Sequence, residues 1–341
     1  MNENEKVWLI TGITGQDGSF LADYLLSQGY TKIHGIIRRS STTNIQNIDT
    51  IKNQITLHYG DLTDGMNIQK IINRVKPDYI VNFAAQSHVK VSEELGNYTF
   101  EVNTLGILNI LQSVRSVGIE KKCKIYHAST SEMYGNETNG EKLLNEESKM
   151  EPVSIYGISK KAAQEICNLY RKAYGMFVVS SILFNHEGTR RGSDFVTQKI
   201  SNYVARYKSG CEPLQLGNLN ARRDWGDAED YVKAIYKMLQ SEQPENYVIA
   251  TGETHSVREF VELAFGEIGI NVVWEGDGID EKGYDKNRQV IVEVKKEFYR
   301  DVDIECLIGD SSKAKRQLGW KPEITFNNLV KKMVKSSKER L

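Results

Sequence analysis

Short runs of β-branched and other apolar residues alternate with amphipathic stretches through the first half of the chain. The runs that predict buried strands span residues 7–11, 32–37, 55–59, 79–83, 124–128 and 177–183. Between them, apolar residues recur three or four apart, which predicts helices over residues 20–28, 68–75, 102–117 and 159–173. This alternation is typical of an α/β fold built on a doubly wound, Rossmann-type parallel sheet.

The alternation weakens after about residue 185, where arginine and glycine clusters indicate a higher content of loops. We expect residues 1–184 to form mainly a dinucleotide-binding domain and residues 185–341 mainly a smaller α/β lobe that binds substrate. The hydrophilic stretch 276–287 is expected to be a surface excursion. Because no proline-rich linker separates the two regions, they are expected to interleave and to share a cleft.

Charge and cysteine usage exclude several classes of protein. The 44 lysines and arginines nearly balance the 45 aspartates and glutamates, so neither nucleic acid nor a membrane is an expected partner. The polar start and the short apolar run 7–10 do not resemble a signal or a membrane span, which predicts a cytoplasmic protein. No metal site is expected, because the six histidines lack metal-ligand spacing and the four cysteines are widely separated.

A glycine-rich turn follows the first predicted strand and precedes the first predicted helix. Glycines spaced in this way allow a tight turn and let the backbone approach a pyrophosphate at the helix N-terminus. The predicted cofactor-binding residues of this turn are Gly12, Thr14, Gly15, Gln16, Asp17 and Gly18. The alternative is a glycine turn with a purely structural role.

The end of the second strand indicates which nicotinamide cofactor is used. An acidic residue there would bind the ribose hydroxyls of NAD, but this chain has Arg38 and Arg39 followed by Ser40 and Ser41. Arginines can grip a 2′-phosphate, so the sequence predicts NADP; the alternative is a solvated basic loop. Polar and small residues at the ends of the third and fourth strands are also expected to touch the cofactor, namely Asp61, Leu62, Ala84, Ala85, Gln86 and Ser87.

Four residues form the candidate catalytic group. Tyr156 and Lys160 lie one helical turn apart, and a nearby ammonium is expected to lower the pKa of the phenol so that it can act as a general base. Thr130 could hydrogen-bond the substrate oxygen that Tyr156 deprotonates, and Glu132 supplies the carboxylate that an elimination of water requires. The alternative for Glu132 is a surface or helix-capping carboxylate.

These residues resemble the GDP-mannose 4,6-dehydratases of the extended short-chain dehydrogenase superfamily over nearly the whole chain. The segments that carry the resemblance include Gly12-Ile13-Thr14-Gly15-Gln16-Asp17-Gly18, Ser129-Thr130-Ser131-Glu132, Phe184-Asn185-His186-Glu187, Arg222-Arg223-Asp224-Trp225-Gly226 and Trp320-Lys321-Pro322. Ser131 is telling, because the related dTDP-glucose dehydratases have an acid at this position.

The resemblance implies an activity and further site residues. The family converts GDP-D-mannose to GDP-4-dehydro-6-deoxy-D-mannose and water by internal hydride transfer through bound NADP, a step of deoxysugar biosynthesis such as that of GDP-fucose or GDP-rhamnose. It implies a homodimer or homotetramer, with His186 and Arg191 beside the cofactor, to which we add Tyr98. The residues predicted to bind the GDP-sugar are Asn185, Lys199, Gly217, Arg223 and Arg300, for whose charged members surface ion pairs are the alternative.

Two segments depart from the family pattern. Gly188-Thr189 stands where the family usually has Ser-Pro, and Asp301-Val302-Asp303 stands where it usually has Pro-Thr-Glu. The connection between Glu132 and Tyr156 is also slightly longer than usual. The substrate is therefore left open, and the same chemistry on another GDP-sugar such as a GDP-heptose is an alternative. Two further alternatives are a nucleotide-sugar epimerase or reductase and a non-catalytic NADP-binding regulator.

Overall fold

The structure, a computed structural model, describes residues 3–39, 45–136, 143–298 and 306–341. Sixteen strands lie in these ranges: β1 (Val7–Thr11), β2 (Lys32–Ile37), β3 (Thr56–Tyr59), β4 (Tyr79–Asn82), β5 (Lys124–Thr130), β6 (Phe177–Leu183), β7 (Asn185–Glu187), β8 (Leu214–Leu216), β9 (Arg222–Arg223), β10 (Trp225–Asp227), β11 (Asn246–Ile249), β12 (His255–Ser256), β13 (Val273–Glu275), β14 (Lys282–Tyr284), β15 (Val290–Val294) and β16 (Cys306–Leu307).

The same ranges contain eleven α-helices: α1 (Gln16–Ser27), α2 (Gly65–Val75), α3 (Val89–Glu94), α4 (Gly96–Phe100), α5 (Gly106–Ser116), α6 (Ile155–Tyr174), α7 (Val196–Arg206), α8 (Ala228–Gln240), α9 (Val257–Gly266), α10 (Ser312–Leu318) and α11 (Phe326–Glu339). None of these helices is both long enough and apolar enough to cross a membrane.

Seven parallel strands form the central sheet, in the order β11-β6-β5-β4-β1-β2-β3. The expected doubly wound α/β fold is therefore confirmed, and six of the strands lie where the hydrophobic pattern predicts them. Strand β5 runs two residues further than expected and ends at Thr130, which places that residue at the carboxyl edge of the sheet. The seventh strand, β11, was not predicted.

The helix predicted over residues 102–117 is interrupted. Helix α4 leads into a π-helical turn, Glu101–Leu105, before α5 continues. Asn103 and Thr104 in this turn are buried and both bond Ser159 of α6, the former through its side-chain amide to the hydroxyl at 3.0 Å. The π-helical turn thus presents two consecutive polar side chains to the helix that carries Tyr156.

A second lobe packs around a four-stranded sheet in the order β13-β14-β15-β8. Its core is formed with helices α7, α9 and α11 and includes Trp225, Phe260, Phe265 and Phe326. The expected surface excursion at 276–287 is found in part: residues 276–280 are exposed, but β14 lies within the stretch and pairs with strands on both sides.

Hydrophilic residues in this segment are satisfied inside the lobe. Glu281 is buried and its carboxylate accepts from the Arg258 guanidinium, with one bond of 2.9 Å. Asp285 is buried as well and accepts from the backbone amides of Asn287 and Gln289 at 2.9 Å. Composition alone indicated a solvated loop, whereas these partners allow polar residues to form part of a sheet.

The core around the central sheet draws on both halves of the chain. Trp8 of β1 stacks on Tyr79 with ring centroids 4.2 Å apart, and the same cluster contains Ile235 of α8, Ile249 of β11 and Trp320. The chain therefore returns to the first lobe after building part of the second.

Candidate active site

A cleft of about 1080 Å³ runs along the carboxyl ends of the central strands and faces the second lobe. Most residues proposed for the site from the sequence line this cleft: Gly12, Thr14, Gly15, Gln16, Asp17, Gly18, Arg38, Arg39, Asp61, Leu62, Ala84, Ala85, Ser87, Tyr98, Thr130, Glu132, Tyr156, Lys160, Asn185, His186, Arg191, Lys199, Gly217 and Arg223. Ser40, Ser41 and Arg300 lie outside the described residues, as does the Asp301-Val302-Asp303 segment.

The glycine turn is sterically closed to side chains. Gly12 has a φ of +68°, and a Cβ there would lie 2.9 Å from the backbone nitrogen of Ala84. A Cβ on Gly18 would lie 2.4 Å from the carbonyl oxygen of Gly12, so α1 approaches the turn closely. Gly15 is the N-cap residue of α1 and has no side chain to cap the first amide groups. The turn thus offers the open helix N-terminus that binds phosphates in dinucleotide folds.

Arg38 and Arg39 follow β2 at the edge of the cleft, and both are exposed. The Arg38 guanidinium contacts the hydroxyl of Tyr98, which orients one of the two cations. A solvated basic loop would have the same exposure, so their proposed contact with a 2′-phosphate stays a prediction.

Residues after β3 and β4 differ in how they meet the cleft. Leu62 is buried and packs against Gly106, whereas Asp61 accepts bonds from the amide and hydroxyl of Thr63. Gln86 is the one predicted residue in the described ranges that does not line the cleft. Its side-chain amide is engaged by His88 and Thr99, which close the loop between β4 and α3.

The catalytic candidates meet where β5 ends and α6 begins. Thr130 and Tyr156 are both buried, and the Thr130 side chain is close enough to lower the pKa of the Tyr156 phenol. Ser154 caps α6 by accepting from the amide of Gly157 at 3.0 Å, and Ser92 of α3 accepts from the amide of Tyr156 at 3.1 Å. Two independent hydrogen bonds therefore fix the first turn of the helix that carries the phenol.

Lys160 lies one turn further along α6, with its ammonium 6.0 Å from the centroid of the Tyr156 ring. The Nζ atom donates to the carbonyl oxygen of Ala128 at 2.9 Å, and burial lowers the pKa of Lys160 to about 8. Burial also raises the pKa of Tyr156 to about 12, and the Thr130 side chain opposes this rise. The expected lowering of the phenol pKa is therefore not found: removal from water outweighs the neighbouring polar groups.

Glu132 stands in the 3₁₀ turn Ser131–Met133 directly after β5 and lines the cleft. Its charge is among the influences that raise the pKa of Tyr156, which shows that carboxylate and phenol are close enough to interact. The Thr130 hydroxyl accepts from the amide of Glu132 at 3.3 Å. The end of β5 and this turn thus direct a hydroxyl and a carboxylate to the place where α6 presents the phenol, as acid–base chemistry on a bound alcohol requires.

Strand β7 brings Asn185 and His186 to the same cleft. His186 forms an ion pair with Asp17 of α1, with Nε2 and Oδ2 2.9 Å apart. Arg191, in the following loop, pairs with the buried Glu187 at 3.1 Å and stacks on the ring of Phe195. His186 is thus held by a partner on α1, and Arg191 by two residues of its own segment.

The residues predicted for the sugar nucleotide lie on the second lobe. Lys199 of α7 has its ammonium 3.8 Å from the centroid of the Phe298 ring, and burial lowers the pKa of this lysine. A Cβ on Gly217 would lie 2.4 Å from the carbonyl oxygen of Phe298, so that glycine lets the two segments touch. Arg223 is buried on β9 and donates to the carbonyl oxygen of Arg222.

Sequence reasoning missed several cleft residues. They include Asn47, which donates to the carbonyl oxygen of Thr14 at 2.9 Å, and Lys90, Asp194, Trp225 and Phe298. Most of them stand within a few residues of a predicted motif, and this closeness in sequence could have indicated that they line the cleft. Among the described residues, no group of three or more histidine, cysteine, aspartate or glutamate side chains could hold a metal ion.

The fold is shared with nucleotide-sugar epimerases and dehydratases of known structure. A UDP-glucose 4-epimerase from Thermotoga maritima superimposes with a TM-score of 0.83 at 22% identity, covering 98% of this chain and 99% of the other. A Thermus thermophilus UDP-glucose 4-epimerase in complex with NAD gives a TM-score of 0.82 at 25% identity, covering 98% and 99%. These likenesses define the class of fold.

Sequence comparison identifies the family within this class of fold. The GDP-mannose 4,6 dehydratase family model matches residues 9–333. GDP-mannose 4,6 dehydratases are 48% identical in Homo sapiens, covering 99% of this chain and 93% of the relative, and 48% identical in Drosophila melanogaster, covering 99% and 87%. The Vibrio cholerae enzyme is 45% identical over 97% and 93%. The chain belongs to the GDP-mannose 4,6-dehydratase family.

Proposed function

We propose that this protein converts GDP-D-mannose to GDP-4-dehydro-6-deoxy-D-mannose and water. The observation that carries the proposal is the meeting of Glu132 with Thr130 and Tyr156 at the carboxyl end of β5. A dehydrogenase or epimerase needs a phenol and a hydroxyl, whereas elimination also needs a carboxylate. Ser131, buried between Thr130 and Glu132, leaves Glu132 as the acid of this turn.

The roles of these residues follow from their positions. Tyr156, in its ionised form, accepts the proton of the sugar 4-hydroxyl, which Thr130 orients by a hydrogen bond. Glu132 removes the proton at carbon 5 and passes it to the departing 6-hydroxyl, so water leaves and the carboxylate is restored. As the hydride returns to carbon 6, Tyr156 gives the proton it took from the 4-hydroxyl to carbon 5, which restores the tyrosine. When bound, a nicotinamide dinucleotide would supply temporary storage of the hydride that leaves carbon 4 and returns to carbon 6.

The glycine turn supports a dinucleotide site, because its closed geometry and open helix N-terminus fit a pyrophosphate. We propose NADP as the form used, on the strength of Arg38 and Arg39 at the end of β2. Replacing Arg38 by Ala should weaken NADPH binding by roughly tenfold or more and leave NADH binding nearly unchanged. Equal losses of affinity for NADPH and NADH would show that Arg38 is not the source of a preference for NADP.

The substrate proposal is a GDP-sugar held through its diphosphate. Arg223, Lys199 and Asn185 line the part of the cleft formed by the second lobe, and two of them carry positive charge. Arg300 is proposed as a further diphosphate ligand on the family resemblance. The product would serve deoxysugar biosynthesis, such as that of GDP-fucose or GDP-rhamnose.

Mass spectrometry tests the activity directly. Purified protein incubated with GDP-mannose and no added cofactor should yield product lighter by one water, since the hydride returns to the sugar. Glu132→Gln should lower the rate by about 10²–10⁴-fold while NADPH binding persists. No loss of water by the wild-type protein would overturn the assignment. Loss of water from a GDP-heptose alone would change the substrate and keep the chemistry.

We also propose that the protein forms a dimer through α6. Ile155, Ile158 and Leu169 recur along one side of this helix and are 38%, 44% and 57% exposed. An apolar helix face without a partner is an unfavourable surface for a monomer. Leu169→Glu should convert the assembly to smaller species in sedimentation, and a wild-type protein that sediments as a monomer would refute the dimer.

A further inference from the structure

The ion pair between Asp17 and His186 joins the two walls of the cleft. Asp17 stands in the first turn of α1, directly after the glycine turn, and His186 is the central residue of β7. The side chain of Gln16 adds to the link, since its Nε2 donates to Asp17 at 3.2 Å and to the carbonyl oxygen of His186 at 3.1 Å. Two consecutive residues of α1 therefore bond one residue of β7.

Hydrogen-bond geometry defines the charge of His186. Its Nε2 faces a carboxylate oxygen of Asp17 at 2.9 Å, and its Nδ1 faces the carbonyl oxygen of Phe184 at 2.8 Å. Both partners are acceptors, so both ring nitrogens must donate, which only the protonated imidazole does. The ring also stacks on Tyr231 of α8, with centroids 4.9 Å apart, and is held in one plane.

Charged neighbours support the same assignment. Burial would lower the pKa of His186, and the charge of Arg191 lowers it further. The charge and hydrogen bond of Asp17 outweigh both and raise the pKa above the ordinary value. Burial would raise the pKa of Asp17, but His186 and then Arg191 lower it. Tyr231, the group that faces the ring from α8, has its pKa raised by burial and stays neutral. On β10, the residue paired with His186 is Gly226, which carries no charge.

We propose that Asp17 and His186 act as one positioning pair, in which the imidazolium cancels the Asp17 charge beside the α1 amides and holds β7 against the glycine turn. An unpaired carboxylate in the first turn of α1 would repel a pyrophosphate at the same amides. The pair removes that repulsion and fixes the distance between the cofactor site and Asn185. This inference rests on the proposed dinucleotide site.

Binding of NADPH to four proteins tests the pair. His186→Gln removes the imidazolium and leaves Arg191 to oppose the Asp17 charge without it, so this variant should weaken binding most, by roughly 10–100-fold. Asp17→Asn in that background removes the repulsion, so the double variant should bind about tenfold more tightly than His186→Gln alone. Additive losses in the double variant would overturn the proposal. Glu245→Gln is the matched control, because it breaks the ion pair with Lys313 at 2.6 Å outside the cleft and should leave binding unchanged.

The pH dependence gives a signature that a merely structural role would not produce. Wild-type affinity for NADPH should fall as pH rises through the raised pKa of His186, and Asp17→Asn should move that midpoint down by about one to three pH units. The 2′-phosphate of NADPH itself titrates near pH 6. The affinity of His186→Gln, which lacks the imidazole, therefore gives the pH dependence that comes from the ligand alone. An unchanged midpoint in Asp17→Asn would contradict the pairing.

A measurement on the unmodified protein keeps the test independent of variants and of activity. In the wild-type chain with labelled histidine, the nuclear magnetic resonance signal of His186 should titrate above the ordinary histidine pKa of about 6.5. Titration at or below that value would sink the proposal even if Asp17→Asn failed to fold. Because this signal needs no substrate, a failure of the dehydratase assay would leave it readable.

Discussion

Replacing Gly18 by Ala should damage cofactor binding through the backbone alone. The new Cβ would lie 2.4 Å from the Gly12 carbonyl oxygen and 2.7 Å from the Ile13 Cα, both of them backbone atoms that no rotamer change can move. Ordinary contact begins near 3.4 Å, so α1 must shift by about 1 Å. Overpacking of this kind costs about 1–3 kcal/mol, which corresponds to roughly 10–100-fold in NADPH affinity if binding must restore the native position.

Thermal unfolding and NADPH fluorescence titration would measure the two consequences. Gly266→Ala is the matched control, because this glycine ends α9, has a negative φ and has no atom within 4 Å of the place that a Cβ would occupy. Alanine there should raise the free energy of unfolding by about 0.5–1 kcal/mol and leave affinity unchanged. The reasoning fails if Gly18→Ala binds NADPH like the wild type and unfolds at the same temperature.

Two further substitutions address buried charged groups. Burial holds the pKa of Lys160 at about 8, so the cost of burying this lysine is fully present below pH 8 and is relieved as pH rises toward 10.5. Lys160→Met should abolish activity yet raise the free energy of unfolding at pH 7 by about 2 kcal/mol, a gain that disappears near pH 10. Urea unfolding at the two pH values measures this gain. A loss of stability at pH 7 would contradict the prediction. Asp224 is fully buried and accepts from the backbone amides of Thr251, Gly252 and Gly309. Asp224→Asn should cost about 1–3 kcal/mol in the same assay, because an amide group would face one of these donors; unchanged stability would show that the loop can rearrange.

The sequence predicted the central sheet well because most of its strands are buried on both faces and read as continuous apolar runs; the edge strand β3, which has no buried residue, is the exception. Six strands and the glycine turn were found this way. Strand β11 was missed because it follows α8 in a region where short strands of the second lobe, such as β9 and β10, interrupt the alternation. Pairing with β6 is a long-range property that periodicity does not encode.

In the candidate site, too, local sequence patterns predicted some features and long-range contacts remained unpredicted. Motif spacing located Thr130, Glu132, Tyr156 and Lys160, and the structure brings all four to one cleft. Their proton affinities could not be read from spacing, because burial dominates the pKa of Tyr156. The pairing of Asp17 with His186 was equally hidden, since it joins residues 169 positions apart in the chain.

Strand β11 has a consequence for synthesis of the chain. The edge of the sheet next to β6, which carries Phe177–Leu183, has no neighbour until residues 246–249 leave the ribosome. At about 5–20 residues per second, that edge stays unpaired for several seconds while part of the second lobe is being made. An unpaired apolar edge is a template for wrong pairing, so a nascent chain stalled shortly before residue 246 should depend on chaperones more than one released at its end.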